Sequence, residues 1–223
     1  MRAFAPGISS VNGVLEVVRA VLFRARDEWE WIDRIPKVKL LEGAVSRVRW
    51  ITREEADKLV AELPSHLADL AEFSLQTGLR RANATHLEWS QVDLPRKTAW
   101  FLAHQTKNGK ALAVPLNDKA MEILVSQQSA QRAAPSRWVF TYRGKPLIQT
   151  TTRAFRRALK RAKIVDFHWH DLRHTWASWH VQNGTPLHVL QELGGWSSLK
   201  LVQRYAHLSG EHLRRWVNRT SSP

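Results

Sequence analysis

Cysteine is absent from all 223 residues, which excludes disulfides and cysteine-ligated zinc or iron–sulfur centres and accords with a reducing compartment. Long apolar runs are missing as well. No stretch approaches the roughly 20 apolar residues of a membrane span, and the start MRAFAPGISS carries no apolar core of signal-peptide length. The expectation is a soluble, cytoplasmic protein with no membrane partner. Acidic side chains are scarce: 20 Asp and Glu stand against 34 Lys and Arg, a formal net charge of +14. No acidic cluster resembles a metal site, so neither a metal nor a cofactor is expected. A basic surplus of this size favours a polyanionic partner, nucleic acid first and an anionic membrane second, although ribosomal proteins are equally basic and charge alone decides little. Tyrosine occurs only twice, at Tyr142 and Tyr205.

What the chain has in quantity is tryptophan, eleven residues. Packing in cores and interfaces is the default for such side chains, Trp29, Trp31, Trp89, Trp100, Trp138 and Trp176 among them. Trp196 alone has a position that argues for more. The length leaves room for one large domain, or one domain and a fragment, with a proper core.

The first ten or so residues read as a frayed end. From about Val14 to Ile32, Val14, Val17, Val18, Val21 and Leu22 recur at helical spacing, and Pro36 ends the segment. Lys37 to Val48 reads as a basic linker and domain boundary, dividing the chain into 1–48 and 49–223. Thr52 to Glu55 forms a capping box for a helix from about Arg53 to Leu63. A second helix, His66 to Thr77, buries Leu67, Leu70, Ala71, Phe73 and Leu75, with Gly78 as its stop. Thr98 to Ala103 and Ala111 to Pro115 flank Asn108-Gly109 and predict a β-hairpin. Asn117 caps a helix over Lys119 to Gln127, and Trp138 to Thr141 reads as a short strand before the basic turn Arg143 to Pro146. Tyr142, beside that turn, is read as packing or a surface hydroxyl. Thr151 to Ala162 reads as a helix carrying Arg153, Arg156, Arg157, Lys160 and Arg161, some of them suited to a phosphate backbone. Its apolar positions are too small and few for strong membrane insertion. The fold class expected is mainly α with a small antiparallel β-sheet.

The stretch from His170 to His207 organises the rest. With a helix over Asp171 to Gln182, His170 and Arg173 project from one side of its first turn, the end of a helix that attracts phosphate. Asn183-Gly184 stops it. Thr185 caps and Pro186 opens a scaffold helix ending at Gly194, and Ser197-Ser198 begins a short helix bearing Tyr205. Glu211 to Asn218 reads as a terminal amphipathic helix with Leu213, Trp216 and Val217 on one side.

H-x-x-R at His170 and Arg173, then LGGW ending at Trp196, then Tyr205 in RYAHL, in this order and spacing, closely resembles the carboxy-terminal signature of the tyrosine recombinases, the phage-integrase class. TGLRRANATHLEWSQVDL resembles the first arginine box of that family, which places a phosphate-holding role on Arg80; Asn83 stands where many members have a buttressing Glu. In the family a lysine on a β-turn protonates the leaving 5′-hydroxyl, a role that falls on Lys107 with Lys110 as competitor. Trp196 stands where many members have His; its indole N–H can donate to a phosphate oxygen, but it cannot exchange a proton. The resemblance covers about Arg49 to His212. It implies that 1–48 is the last helix and linker of a core-binding-like domain, a shortened or lost arm with residues 1–12 as an alternative start. It implies that 49–223 is a catalytic domain whose terminal helix docks on the next protomer of a homotetramer on double-stranded DNA.

The chemistry follows from the residue types. A tyrosine hydroxyl with a reference pKa near about 10 is a weak nucleophile at neutral pH and needs a base or electrostatic help. His170 can supply the first. Arg80 and Arg173 would clamp the nonbridging oxygens of a scissile phosphodiester, doing the work that magnesium does elsewhere. The product would be a 3′-phosphotyrosyl link that religates without a nucleotide cofactor, as in DNA integration or excision. Two other readings draw on the same residues: a non-catalytic DNA-binding relic, and a type IB topoisomerase-like relaxing enzyme, against which the terminal helix argues.

Overall fold

The computed structural model describes residues 8–42 and 48–209, so the terminal helix expected over Glu211 to Asn218 lies outside the described residues. The chain divides into two compact units, Met1–Arg47 and Val48–Pro223. In the first, helix α1 spans Ile8–Asp27, starting earlier and stopping earlier than the periodicity predicts. It ends at Asp27, well before Pro36, and Glu30 just beyond takes a positive φ of 54°. Asn12 holds the following segment from the helix side, its amide donating to the Leu41 carbonyl at 2.9 Å and accepting from the Leu41 amide at 2.7 Å. Trp29 and Trp31 pack on each other at 4.7 Å yet stay exposed, as does Trp100, so these three are not core residues.

The second unit is mostly helical: α2 (Arg53–Glu62), α3 (Ser65–Thr77), α4 (Arg81–Thr85), α5 (Asp118–Ala130), α6 (Arg153–Arg161), α7 (Asp171–Gln182), α8 (Leu187–Gly194) and α9 (Lys200–Gln203). Strands β1 (Val92–Asp93), β2 (Thr98–Phe101) and β3 (Leu112–Pro115) form an antiparallel sheet in that order, and β4 (Thr141–Tyr142) pairs with β5 (Lys145–Pro146). Among the described residues no helix is long and apolar enough to cross a membrane.

The capping box forms as expected. The Thr52 hydroxyl accepts from the Glu55 amide at 3.2 Å while the Glu55 carboxylate accepts from the Thr52 amide at 2.9 Å. Thr52→Ala removes one of these bonds and is expected to lower the unfolding free energy by about 1 kcal/mol; an unchanged urea midpoint would show that α2 is held by packing alone. The α3 helix packs on α2, α5 and α7, and Gly78 closes it with a left-handed φ of 61°. A Cβ there would lie 2.2 Å from the Trp176 ring, so close packing as well as backbone conformation requires glycine. This stop delivers Arg80 to the N-cap position of α4.

Asn117 caps α5, accepting from the Ala120 amide at 2.9 Å. The strand expected at Trp138 is reduced to one bridge with Glu88, and the paired strands flank Arg143-Gly144, where φ values of 52° and 73° build the turn. On α6, Phe155, Ala158 and Leu159 are buried, Arg161 pairs with Glu62, and the five basic side chains stay exposed. Thr185 does not cap α8. Its hydroxyl lies 3.0 Å from His180 Nδ1, and Pro186 takes the N-cap position without a side-chain bond.

The β-hairpin expected around Asn108-Gly109 forms, with a connection longer than the tight turn. Strands β2 and β3 do pair, with Phe101 opposite Leu112, but no two-residue turn joins them. The connection turns where the Gly109 amide donates to the Thr106 carbonyl at 3.2 Å, and side chains brace it: Gln105 Oε1 accepts from the Leu102 amide at 2.9 Å and the Thr106 hydroxyl donates to the Lys110 carbonyl at 2.7 Å.

Helix α7 runs between two apolar clusters. Leu172 and Trp179 face the cluster built on α2, α3, the sheet, α5 and α6, whereas Trp176, Ala177 and Val181 join Leu190, Val202 and Tyr205. Burial on both sides makes α7 the rigid element from which the site is hung.

Candidate active site

Arg173 sits in the first turn of α7 and is 5% exposed. Its guanidinium donates to two backbone carbonyls, Gly78 at 2.6 Å and Gly194 at 2.5 Å, and lies 4.2 Å from the centre of the Trp196 ring. Burial, then the nearby charge of Arg80, pull its pKa down to about 9, so it stays charged at neutral pH. Arg80 is half-buried and donates to the Gly195 carbonyl at 3.3 Å; loss of solvent lowers its pKa as well. Two cations held this close in poor solvent, on carbonyl oxygens, form a local surplus of positive charge that an anion would relieve.

The Gly194-Gly195 turn is the hub. Gly195 has a positive φ of 60°, and a Cβ on Gly194 would fall 2.0 Å from the Trp196 ring, which explains why two glycines precede this tryptophan. The Gly195 carbonyl accepts from Asn108 Nδ2 at 3.4 Å as well as from Arg80, so the β2–β3 connection reaches the same turn. Lys107 is exposed beside Asn108 on that connection, and Lys110 is exposed too. Asn83 does not buttress Arg80. Its amide donates to the Gln105 carbonyl at 3.1 Å, tying α4 to the β2–β3 connection instead.

His170 holds the N-cap position of α7 with its side chain exposed; desolvation by neighbouring groups, then the charge of Arg173, lower its pKa. Tyr205 is not on a helix. The α9 helix stops at Gln203, and the tyrosine lies in the turn before a 3-10 segment, Ala206–Ser209, its amide donating to the Val202 carbonyl at 2.9 Å. Its side chain is 1% exposed, and burial pushes its pKa up to about 12 against the lowering effect of Arg173. The Trp196 ring is half-buried with its centre 6.0 Å from the Tyr205 ring and 6.0 Å from that of Trp176.

The residue nearest the tyrosine oxygen is one the sequence reading passed over. His174 Nδ1 lies 2.5 Å from the Tyr205 hydroxyl. The ring is buried, stands edge-on to His170 at 5.1 Å, and has its pKa pulled down to about 4 by burial and then by His170. The signal was present: His174 is four residues after His170 and shares its side of α7. Asn108 and Gly195 were likewise missed as site residues.

A buried tyrosine hydroxyl beside Arg173, with Arg80 held on the same glycine turn as Arg173, on a mainly helical scaffold defines the class of the tyrosine recombinase catalytic domains. Solved members share this architecture. The catalytic domain of bacteriophage HP1 integrase matches with a TM-score of 0.57 at 26% identity, over 77% of this chain and 95% of that one. The Tn1549 transposon integrase, solved in complex with a circular intermediate DNA, matches in fold with a TM-score of 0.72 at 16% identity, over 95% of this chain and 79% of that one.

The phage integrase family profile matches residues 49–212, and the chain belongs to that family. The integrase of Salmonella phage P22 is 41% identical over 221 residues, 93% of this chain and 56% of its own length. That of Escherichia phage 186 is 26% identical over 83% of this chain and 52% of its length, so the chain spans about half the length of these relatives.

Proposed function

We propose that this chain carries the strand-transfer chemistry of a site-specific DNA recombinase, cutting and rejoining double-stranded DNA through a 3′-phosphotyrosyl intermediate. What supports the reading above all is the Gly194-Gly195 turn, whose carbonyls hold both Arg173 and Arg80, with Arg173 acting on the buried Tyr205. A scissile phosphate entering there would replace carbonyl oxygens as the acceptor of guanidinium bonds, and charge-assisted bonds to phosphate are the stronger kind. The same two groups would neutralise charge that accumulates as the phosphorus becomes pentacoordinate. Tyr205 Oη attacks, the 5′-oxygen leaves, and the phosphodiester's energy is kept in the new ester. His170 lies on the phosphate side at the start of α7, and Trp196 packs the tyrosine and backs Arg173. The exposed arginines of α6 suit the DNA backbone. We further infer a homotetramer on DNA, assembled by exchange of the terminal segment.

Incubation of the full chain with nicked duplexes from the DNA flanking its gene, followed by a denaturing gel, tests the reading. A covalent adduct maps the cleavage site; measurable binding with no adduct would reduce the chain to a DNA-binding relic.

Lys107 is the proton donor to the leaving oxygen in this scheme. Lys107→Ala is expected to slow adduct formation by about 10² to 10⁴. A substrate with sulfur at the bridging 5′ position should restore the rate, because a thiolate leaves without protonation. If Lys110→Ala shows this rescue and Lys107→Ala does not, the donor is Lys110.

A further inference from the structure

We propose that His174, rather than His170, is the immediate acceptor of the Tyr205 proton, and that its Nδ1 sets the direction of the tyrosine oxygen before attack. The proposal rests on the strand-transfer reading and deepens it.

Geometry argues first. His174 Nδ1 is 2.5 Å from the hydroxyl, within hydrogen-bond reach of the proton that must leave, and both rings are buried. His170 is exposed, and its ring is 5.1 Å from that of His174. A tyrosine O–H has one proton to give, and a short bond to a ring nitrogen commits it. For Nδ1 to accept that proton it carries the lone pair, which assigns the imidazole's own proton to Nε2 in the neutral tautomer. Around His174 stand His170, Asp171 and Arg173 from α7 and Arg204 from the segment after α9; of these only Asp171 favours a charged ring.

The resting balance is one-sided. With the tyrosine pushed up to about 12 and His174 pulled down to about 4, the proton belongs to the tyrosine. A free tyrosinate is therefore not formed in advance. The balance changes as Oη bonds to phosphorus, because the oxygen loses basicity as the bond forms. In the completed step the Oη–P bond forms, the P–O5′ bond breaks, the tyrosine proton passes to His174 Nδ1, and the 5′-oxygen takes a proton from Lys107. The electron pair of the broken bond stays on the 5′-oxygen. Religation runs the same transfers backward, so each strand exchange returns the site to its starting protonation. This timing protects the buried nucleophile, which becomes reactive only with phosphate in place.

His174→Phe and His174→Asn test the assignment on the cleavage site mapped for the wild-type chain. Phenylalanine keeps the ring shape without an acceptor. Asparagine places an amide oxygen near the former Nδ1 position, able to accept the hydrogen bond but not the proton. Single-turnover adduct formation is expected to fall by about 10² to 10⁴ in the phenylalanine variant, with DNA affinity unchanged. Sulfur at the bridging 5′ position should leave that loss in place, since the defect lies at the nucleophile.

The asparagine variant adds a readout that a packing role would not move. Without a proton acceptor the rate should climb tenfold per pH unit, following tyrosinate, where the wild type is level. It carries the test alone if the phenylalanine variant fails to fold. Wild-type rates in His174→Phe, its rescue by sulfur, or a level pH profile in His174→Asn would each overturn the proposal while leaving the strand-transfer reading standing. Absence of an adduct from the wild type would instead overturn that reading, and this proposal with it.

Discussion

Arg173→Ala is expected to weaken the fold and to slow adduct formation by about 10³ to 10⁵, the range an inserted arginine commands in other phosphoryl transfers. Both effects come from one side chain because the guanidinium is part of the core. It bridges the Gly78 carbonyl at the end of α3 and the Gly194 carbonyl at the end of α8, and it backs onto the Trp196 ring. Alanine leaves those two carbonyls without these donors in a buried setting. At roughly 1 to 3 kcal/mol for each of the two unmet groups, the loss should reach about 2 to 6 kcal/mol.

Arg173→Lys separates the two effects. An ammonium restores the charge but cannot span both carbonyls as a planar fork does. DNA affinity should return further than rate or stability. Urea unfolding alongside single-turnover cleavage measures both quantities on the same preparations. A stable Arg173→Ala protein that cleaves within an order of magnitude of wild type would remove Arg173 from the chemistry.

Tyr205→Phe is expected to abolish the covalent adduct while leaving DNA affinity intact. No other group stands ready to take over: Tyr142, the second tyrosine, lies on β4 and is 46% exposed, stacked on His66. Stability should fall by about 1 kcal/mol, because the buried His174 nitrogen loses its donor while the phenyl ring still fills the cavity. The checks are a denaturing gel for the adduct, fluorescence anisotropy for binding, and peptide mapping of any residual linkage. Residual adduct at full yield would place the nucleophile elsewhere.

The two variants divide the site along its physical seams. In the proposed reaction Tyr205 supplies the attacking oxygen, whereas Arg173 supplies charge and holds two helix ends together. A protein that loses both functions only through Arg173 has a site whose electrostatics and core packing are one structure.

Much of this was legible in the chain alone, for a reason that differs by element. Helix boundaries marked by local chemistry came through: Thr52 with Glu55, Gly78 and Asn117 satisfy backbone groups within a few residues of themselves, so their signal does not depend on distant contacts. Boundaries without such markers drifted. The end of α1 moved to Asp27, and β1 was not foreseen, since two residues of strand carry no readable alternation. Asn108-Gly109 marked the β2–β3 hairpin correctly but not the length of its connection, because Gln105 and Thr106 make side-chain bonds that turn propensity does not count.

For the site, residue identity and order were enough to select Arg80, Lys107, His170, Arg173, Trp196 and Tyr205 as candidates and to place the chain in its family. Reactive groups must be of particular chemical types, and type is written directly in sequence. Partnership is not. That Arg173 would be held by carbonyls from two separate helix ends, that Arg80 and Asn108 would share the Gly195 oxygen, and that His174 rather than His170 would meet the tyrosine hydroxyl were decided only by packing. These contacts join residues 21 to 115 positions apart, and their distances depend on how α7 is seated between its two clusters. The sequence determined which chemistry is available; the tertiary structure decided which atoms face one another, because side-chain direction is set by the packing of whole elements and not by local propensity.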